Sequence, residues 1–318
     1  MNRTLWKHFV CIGLTGFIFA FNARAWDATG HMLVAQIAHD RLNEKAREKV
    51  DALAAKLEEK GVTYNAVSIA CWPDDIKSKD STSPHQGQFR PWHYVDIGCR
   101  PTDPDVLGQR PLLEPTKGDV IASLNLCADL IRTHRTDSMV PKEEVALALL
   151  MHFVGDIHQP LHTTARYNPD PKPDDKYKDD AGGNGVSLAN LDDTPWGKNL
   201  HTFWDESYRR FYENGRIKAM PELKEADVLS NPATKDWLKR LEPDAPRQPN
   251  LDFDPKAWAL EVHEIACAHV YGDLNSPYGA KDVVLSKKYV EDSAQIARKQ
   301  IVLAGYRLAA LLNDLYGK

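Results

Sequence analysis

Apolar residues recur at three- and four-residue intervals over most of this chain, the spacing of a single buried helix face. Residues 28–58 carry that period among Ala, Leu, Glu and Lys. Residues 116–135 carry it at Val120, Ile121, Leu124, Leu130 and Ile131. Pro141 suits the first turn of a further helix. Its apolar run, Val145 to Val154, continues to a stop at Pro160. Residues 255–271 and 286–316 follow the same period, and the last is long enough to pack across the whole molecule. Between these lie polar stretches rich in Pro and Asp, at 73–115, 167–185 and 228–256, which read as loops. No repeat and no break in composition divides the chain. The pattern predicts an all-α fold, a single compact helical domain with long loops free to carry function.

Residues 1–25 stand apart. Arg3 and Lys7 precede an apolar run over residues 9–21, and Ala23-Arg24-Ala25 closes the segment. A charged start, a short apolar stretch and an Ala-x-Ala site describe a secretory signal peptide. The run is too short to span a bilayer comfortably. The expected mature chain is therefore 26–318, secreted or periplasmic, with no membrane anchor after cleavage. Removing Arg3, Lys7 and Arg24, with no acid among them, takes the formal net charge from -5 to -8. Such a chain has no general basic footprint for nucleic acid. Cys71, Cys99, Cys127 and Cys267 remain after cleavage. An even number in an exported chain makes two disulfides plausible, with three pairings open. None of the four shows C-x-x-C zinc spacing.

Histidine and aspartate cluster in five places. The densest runs His152-Phe-Val-Gly-Asp156-Ile-His158-Gln-Pro-Leu-His162. On a helix, residues four apart share a face, so His152 and Asp156 can bind one ion. Pro160 then turns the chain, which could return His162 to the same cleft. His201 and Asp205 repeat the spacing. Trp92-His93-Tyr94-Val95-Asp96, Cys71-Trp72-Pro73-Asp74-Asp75 and Trp26-Asp-Ala-Thr-Gly-His31 complete the set. Imidazole and carboxylate are the ligands zinc takes where thiolate is absent. One such helical pair is ordinarily just a satisfied hydrogen bond. Two pairs, with His162 and His93 beside aromatics, shift the balance to metal. His39, His85, His134, His158, His263 and His269 read as structural or solvated, with His158 the hardest to dismiss.

Taken together and in order, these motifs resemble the type I nuclease family, zinc-dependent single-strand nucleases and 3′-nucleotidases. The resemblance runs through W-x-D, W-H-Y-V-D, H-F-V-G-D-x-x-Q-P-L-H, G-G-N and N-L-H-x-x-W-D, and spans nearly the whole mature chain. It implies a helical fold shared with zinc phospholipase C, and three Zn2+ in one cleft. Carried over by motif, one ion would take Asp74, His93, His152 and Asp156. A second would take His162, His201 and Asp205. A third would take the amine and carbonyl of Trp26 with His31 and the bridging Asp156. The amine exists only if cleavage falls after Ala25. The implied substrates are single-stranded DNA, RNA and 3′-nucleotides, cut to 5′-phosphate products, with no stable protein partner. Asp74 would orient or deprotonate the attacking water, and the three ions would supply the positive charge the chain lacks. The family usually has arginine where Lys77 stands; lysine keeps the charge but not the bidentate fork. Tyr94 and Asp96 match positions that stack and hydrogen-bond a base, and Asn184 would shape that pocket. Their alternatives are a buried tyrosine, a capping aspartate and a turn residue in the left-handed conformation.

Two other readings stand beside this one. A zinc phospholipase C usually ends in His-x-x-x-Glu and lacks this Trp-His-Tyr-Val-Asp element. A non-catalytic zinc-binding protein would keep the ligands and lose the turnover.

Overall fold

A computed structural model describes residues 26–77, 83, 85–99, 118–168, 179–192, 198–223, 232–245 and 247–318. The segment read as a signal peptide, and parts of the three loops, lie outside these. Among the described residues helices build the core, and the strands are short pairs at its margin. That is the all-α architecture the periodicity predicts.

The 28–58 run is two helices, α1 (Ala28–His39) and α2 (Glu44–Ala54). Asn43 interrupts it by capping α2, accepting from the Ala46 N–H at 2.9 Å. A cap of this kind leaves the apolar period intact, so periodicity alone does not see it. The short α3 (Trp72–Lys77) lies inside a stretch read as loop, and α4 (Val120–Thr133) follows. In α5 (Glu143–Asp156) every side chain from Val145 to Asp156 is buried. A helix apolar all round belongs at the centre, and α5 touches α1, α2, α3 and α4. Pro141 stands one residue before the Lys142 cap rather than inside the first turn.

After α6 (Leu200–Asp205) comes α7 (Pro232–Leu241), again inside a stretch read as loop. Among the described side chains of α7, Trp237 and Leu241 are the buried ones, with Trp237 against Tyr208. Two anchors in a polar decamer are too sparse to show a period. The 255–271 element winds as α8 (Pro255–Ile265) and then a π turn, Ala266–Tyr271. The 30-residue α9 (Lys287–Tyr316) is about 45 Å long. It packs along α1, α2, α4, α5 and α7, as its length predicts.

Among the described residues three strand pairs complete the fold: β1 (Glu58–Glu59) with β2 (Val62–Thr63), β3 (Ile97–Cys99) with β4 (Thr164–Arg166), and β5 (Arg210–Glu213) with β6 (Arg216–Ala219). The β3–β4 pair is parallel, with Ile97 opposite Thr164. It draws the chain after His93 alongside the chain after His162. One disulfide joins Cys99 of β3 to Cys267 of the π turn. Two were expected from the count. Cys71 and Cys127 instead sit buried on separate elements, as small core residues.

His158 is structural. Its Nδ1 donates to the Val154 carbonyl at 2.7 Å, so its Nε2 accepts from the Arg307 guanidinium at 2.9 Å. Burial, with Arg307 beside it, lowers its pKa to about 3. A histidine depressed below its unfolded value, about 6.5, stabilises the fold above that pH. The stability is lost as pH falls from 6.5 toward 3. His158→Gln keeps an acceptor for Arg307 but cannot titrate. Denaturant melts of the metal-free protein between pH 6.5 and 5 should therefore fall less steeply in the variant. The difference approaches about 1.4 kcal/mol per pH unit, one proton's worth. Equal slopes would show that His158 does not govern acid lability.

Candidate metal centre

The last turn of α5 carries both His152 and Asp156, at the end of the helix where the backbone dipole is negative and favours a cation. Both side chains are fully buried. His152 Nδ1 lies 2.6 Å from the Ala70 carbonyl. A carbonyl can only accept, so Nδ1 bears the proton and the Nε2 lone pair faces inward. His162 Nδ1 is fixed in the same way by the His93 carbonyl at 2.7 Å, and His201 Nδ1 by the Gly182 carbonyl at 2.7 Å. Three imidazoles thus have their tautomers set by backbone groups of neighbouring elements, the support metal-binding histidines ordinarily have.

The donors converge as three groups, the first two sharing His152: His31, His152 and Asp156; Asp74, His93 and His152; His162, His201 and Asp205. Within each, the donor atoms lie within 4.8 Å of one another. Zinc bonds of 2.0–2.2 Å in a tetrahedron place ligand atoms about 3.3 Å apart. The observed separations bracket that value. His31 Nε2 is 3.3 Å from Asp156 Oδ1, and His93 Nδ1 is 2.9 Å from Asp156 Oδ2. His152 Nε2 is 3.3 Å from Asp156 Oδ2 and 3.9 Å from Asp74 Oδ1. His201 Nε2 is 3.7 Å from Asp205 Oδ1. Both oxygens of Asp156 and both ring nitrogens of His31 are buried without a directed hydrogen bond. Buried polar atoms left so are costly unless something else satisfies them, and a divalent cation among these donors would do so. The residue set fits a metal.

Electrostatics agree with that use. Burial, reinforced by His152, lowers His31 to a pKa of about 3. Burial and then Lys77 lower His93 to about 4. Burial and His201 hold His162 well below its usual value. The rings stay neutral, the form a metal needs. Burial pushes Asp156 up, and Asp205 well up. Burial would raise Asp74 too, but Lys77, His152 and His93 hold its carboxyl well below the usual range.

Lys77, the last residue of α3, is not a solvated loop lysine. It is buried, with Nζ 3.0 Å from Asp74 Oδ1. Tyr94 stands exposed beside His93, so the buried-tyrosine alternative fails. Asp96 is half-buried and caps no described helix. Asn184 does not take the left-handed conformation; Ala181, Gly182 and Gly183 do. Its side chain closes their turn by donating to the Ala181 carbonyl at 2.9 Å. Trp26 is buried with its indole N–H on the Gly155 carbonyl at 2.9 Å, which seats it beside His31.

Sequence reasoning missed three supports. Gln159 is fully buried, donates to Asp205 Oδ1 at 2.6 Å and accepts from the Leu161 N–H, so it ties Asp205 to the turn carrying His162. Its place in Gln-Pro-Leu-His was the available signal. Gly182 presents its carbonyl to His201 from a φ of 59°, and a Cβ there would meet the Leu161 carbonyl oxygen at 2.5 Å. Gly155 leaves room for a ring, since a Cβ on it would lie 2.8 Å from His31 Nδ1.

Gly155→Ala should favour the helix itself, alanine being the better helix former by about 1 kcal/mol. The added methyl must displace the His31 ring. Zinc titration by calorimetry should show one class of site weakened while the circular dichroism stays helical. Unchanged binding would mean that the His31 position is not required.

Residues 26–317 match the family model described as S1/P1 Nuclease. Endonuclease 4 of Arabidopsis thaliana is 27% identical over 314 residues, covering 92% of this chain and 90% of that protein. Nuclease S1 of Aspergillus oryzae is 25% identical, over 91% of both chains. Nuclease P1 of Penicillium citrinum is 25% identical, over 92% of this chain and 98% of that one. The matched span takes in every donor residue above. The chain belongs to the S1/P1 nuclease family, the type I nucleases to which its motifs pointed, and is a hydrolase of phosphodiester bonds in nucleic acid.

Proposed function

We propose that this nuclease is a zinc-dependent endonuclease that cuts single-stranded DNA and RNA to 5′-phosphate products and also acts on 3′-nucleotides. The observation that carries this reading is Asp156. One of its oxygens faces His31 and the other faces His93 and His152, so a single carboxylate can bridge two ions. Asp74, His93, His152 and Asp156 would hold one zinc. His162, His201 and Asp205 would hold the second. The Trp26 amine and carbonyl, His31 and Asp156 would hold the third, once residues 1–25 are removed as a signal peptide. When bound, these ions supply Lewis-acid polarisation of phosphate oxygens and an acidified water.

The chain's own residues do the rest. Asp74, kept ionised by Lys77, accepts a hydrogen bond from the attacking water and orients it. A carboxylate held that low is a poor proton acceptor, which favours orienting over deprotonation. Lys77 offers its ammonium to a non-bridging phosphate oxygen. Tyr94, exposed at the rim, offers a face on which any base can stack. Asp96 lies two residues on and accepts from the base edge, while the Asn184 turn walls the pocket behind His201. Export to a secreted or periplasmic site is supported by the Cys99–Cys267 bridge. Among the described residues no helix is long and apolar enough to cross a membrane.

Single-stranded DNA, RNA and 3′-AMP should be cleaved by the purified protein, lost with a chelator and restored by zinc. His152→Ala should lower turnover at least about a thousandfold, the rate equivalent of roughly 4 kcal/mol. No cleavage of any of these despite bound zinc would sink the nuclease mechanism proposed here. Lys77→Met should lower kcat/KM by about 10- to 100-fold, a loss of roughly 1.4–2.7 kcal/mol. It also removes the cation that depresses Asp74, so the acid limb of the pH–rate profile should move to higher pH. Lys77→Arg should restore most of the rate. An unmoved acid limb in Lys77→Met would detach Lys77 from Asp74.

A further inference from the structure

Asp27 lies between Trp26 and the first turn of α1, and its carboxylate is buried. Oδ1 accepts from the Gly30 N–H at 2.9 Å and from the Tyr208 hydroxyl at 2.6 Å. The first bond caps the helix that carries His31. Oδ2 is 2.7 Å from Arg209 Nε. Arg209 is itself held by the Met220 carbonyl at 2.6 Å, by Glu222 at 2.9 Å and by Glu206 at 3.1 Å. Arg210 also donates to Glu206. The Asp27 N–H donates to the Asp205 carbonyl at 3.2 Å. Tyr208 meets the Trp26 ring edge-on at 6.1 Å, and the Gly155 carbonyl holds the indole N–H.

Asp27, Glu206 and Glu222 are close enough together to suggest a cation site of their own. The Arg209 guanidinium already lies among them, so they form an ion-pair cluster rather than a metal site. Helix capping needs only a short polar side chain, and a buried ion pair is weak evidence for stability as such. What the cluster does is geometric. It joins the segments that carry Trp26, His31 and Asp205.

We infer that Asp27, clamped by Tyr208 and Arg209, is a positioning residue for the metal centre. It sets the Trp26–His31 segment at the distance from Asp205 that lets Trp26, His31 and Asp156 close on one ion. The inference rests on the three-zinc reading above.

The test uses protein expressed from the full chain and exported, with its amino terminus checked by mass spectrometry. Wild type, Asp27→Ala, Tyr208→Phe, the double variant and His31→Ala are equilibrated in graded zinc buffers, and bound zinc is counted. In Asp27→Ala one ion should weaken by about 10- to 100-fold, the usual effect of losing a group behind a ligand. The other two should hold. The weakened ion should be the one that His31→Ala loses. Tyr208→Phe should shift the same ion by less. The double variant should be no worse than Asp27→Ala, because both act through one carboxylate. A folded Asp27→Ala with wild-type affinity at every site, or with all ions weakened alike, overturns the inference. If Asp27→Ala does not fold, Tyr208→Phe decides, and unaltered binding there overturns it. Wild type holding fewer than three zincs would instead overturn the reading beneath it.

Discussion

A carboxylate sealed in the core among neutral imidazoles is the constraint around which this molecule is arranged. Asp156 is fully buried at the negative end of the central helix, and neither of its oxygens has a directed hydrogen bond. Desolvation and the helix dipole both oppose its charge. Neutral imidazoles surround it on two sides and cannot compensate it. A cation in that position satisfies the carboxylate, the histidine lone pairs and the helix end together. The hydrophobic packing of α5 thereby fixes where the candidate donors gather.

Rigidity reaches those donors through the backbone. The carbonyls that orient His152, His162 and His201 come from a 3₁₀ turn, from His93 and from a glycine turn, each held by the fold rather than by a mobile side chain. The parallel β3–β4 pair aligns the His93 and His162 segments, and the disulfide pins β3 to the π turn after α8. Gln159 adds a side-chain link between Asp205 and the His162 turn. A long α9 packed along α1, α2, α4, α5 and α7 holds these pieces in one frame.

An acidic chain that hydrolyses an anionic polymer has to concentrate positive charge locally. Lys77 is the one described lysine buried against the donor groups, and its effect is already visible in the depressed Asp74. Divalent ions at the three groups would outweigh Asp74, Asp156 and Asp205. The attraction is then confined to the cleft and falls off within a Debye length, about 8–10 Å.

The sequence by itself determined the fold class, the long helices and the histidines and aspartates that are candidate donors. Those depend on local properties: an apolar period that forces helix burial, and a His-x-x-x-Asp spacing that puts two donors on one face. Tertiary structure alone decided the remainder. It buried Lys77 against Asp74 rather than leaving it in solvent, and left Tyr94 exposed beside His93. It joined Cys99 to Cys267 and left Cys71 and Cys127 as core residues. It split the first helix at the Asn43 cap, and folded α3 and α7 where polar composition suggested loop. It also made Ala70, Gly182 and Gln159 part of the site. Most of these turn on which distant residue stands opposite a side chain. No residue type or spacing encodes that distance, because it is set only when α5 and the elements around it have packed.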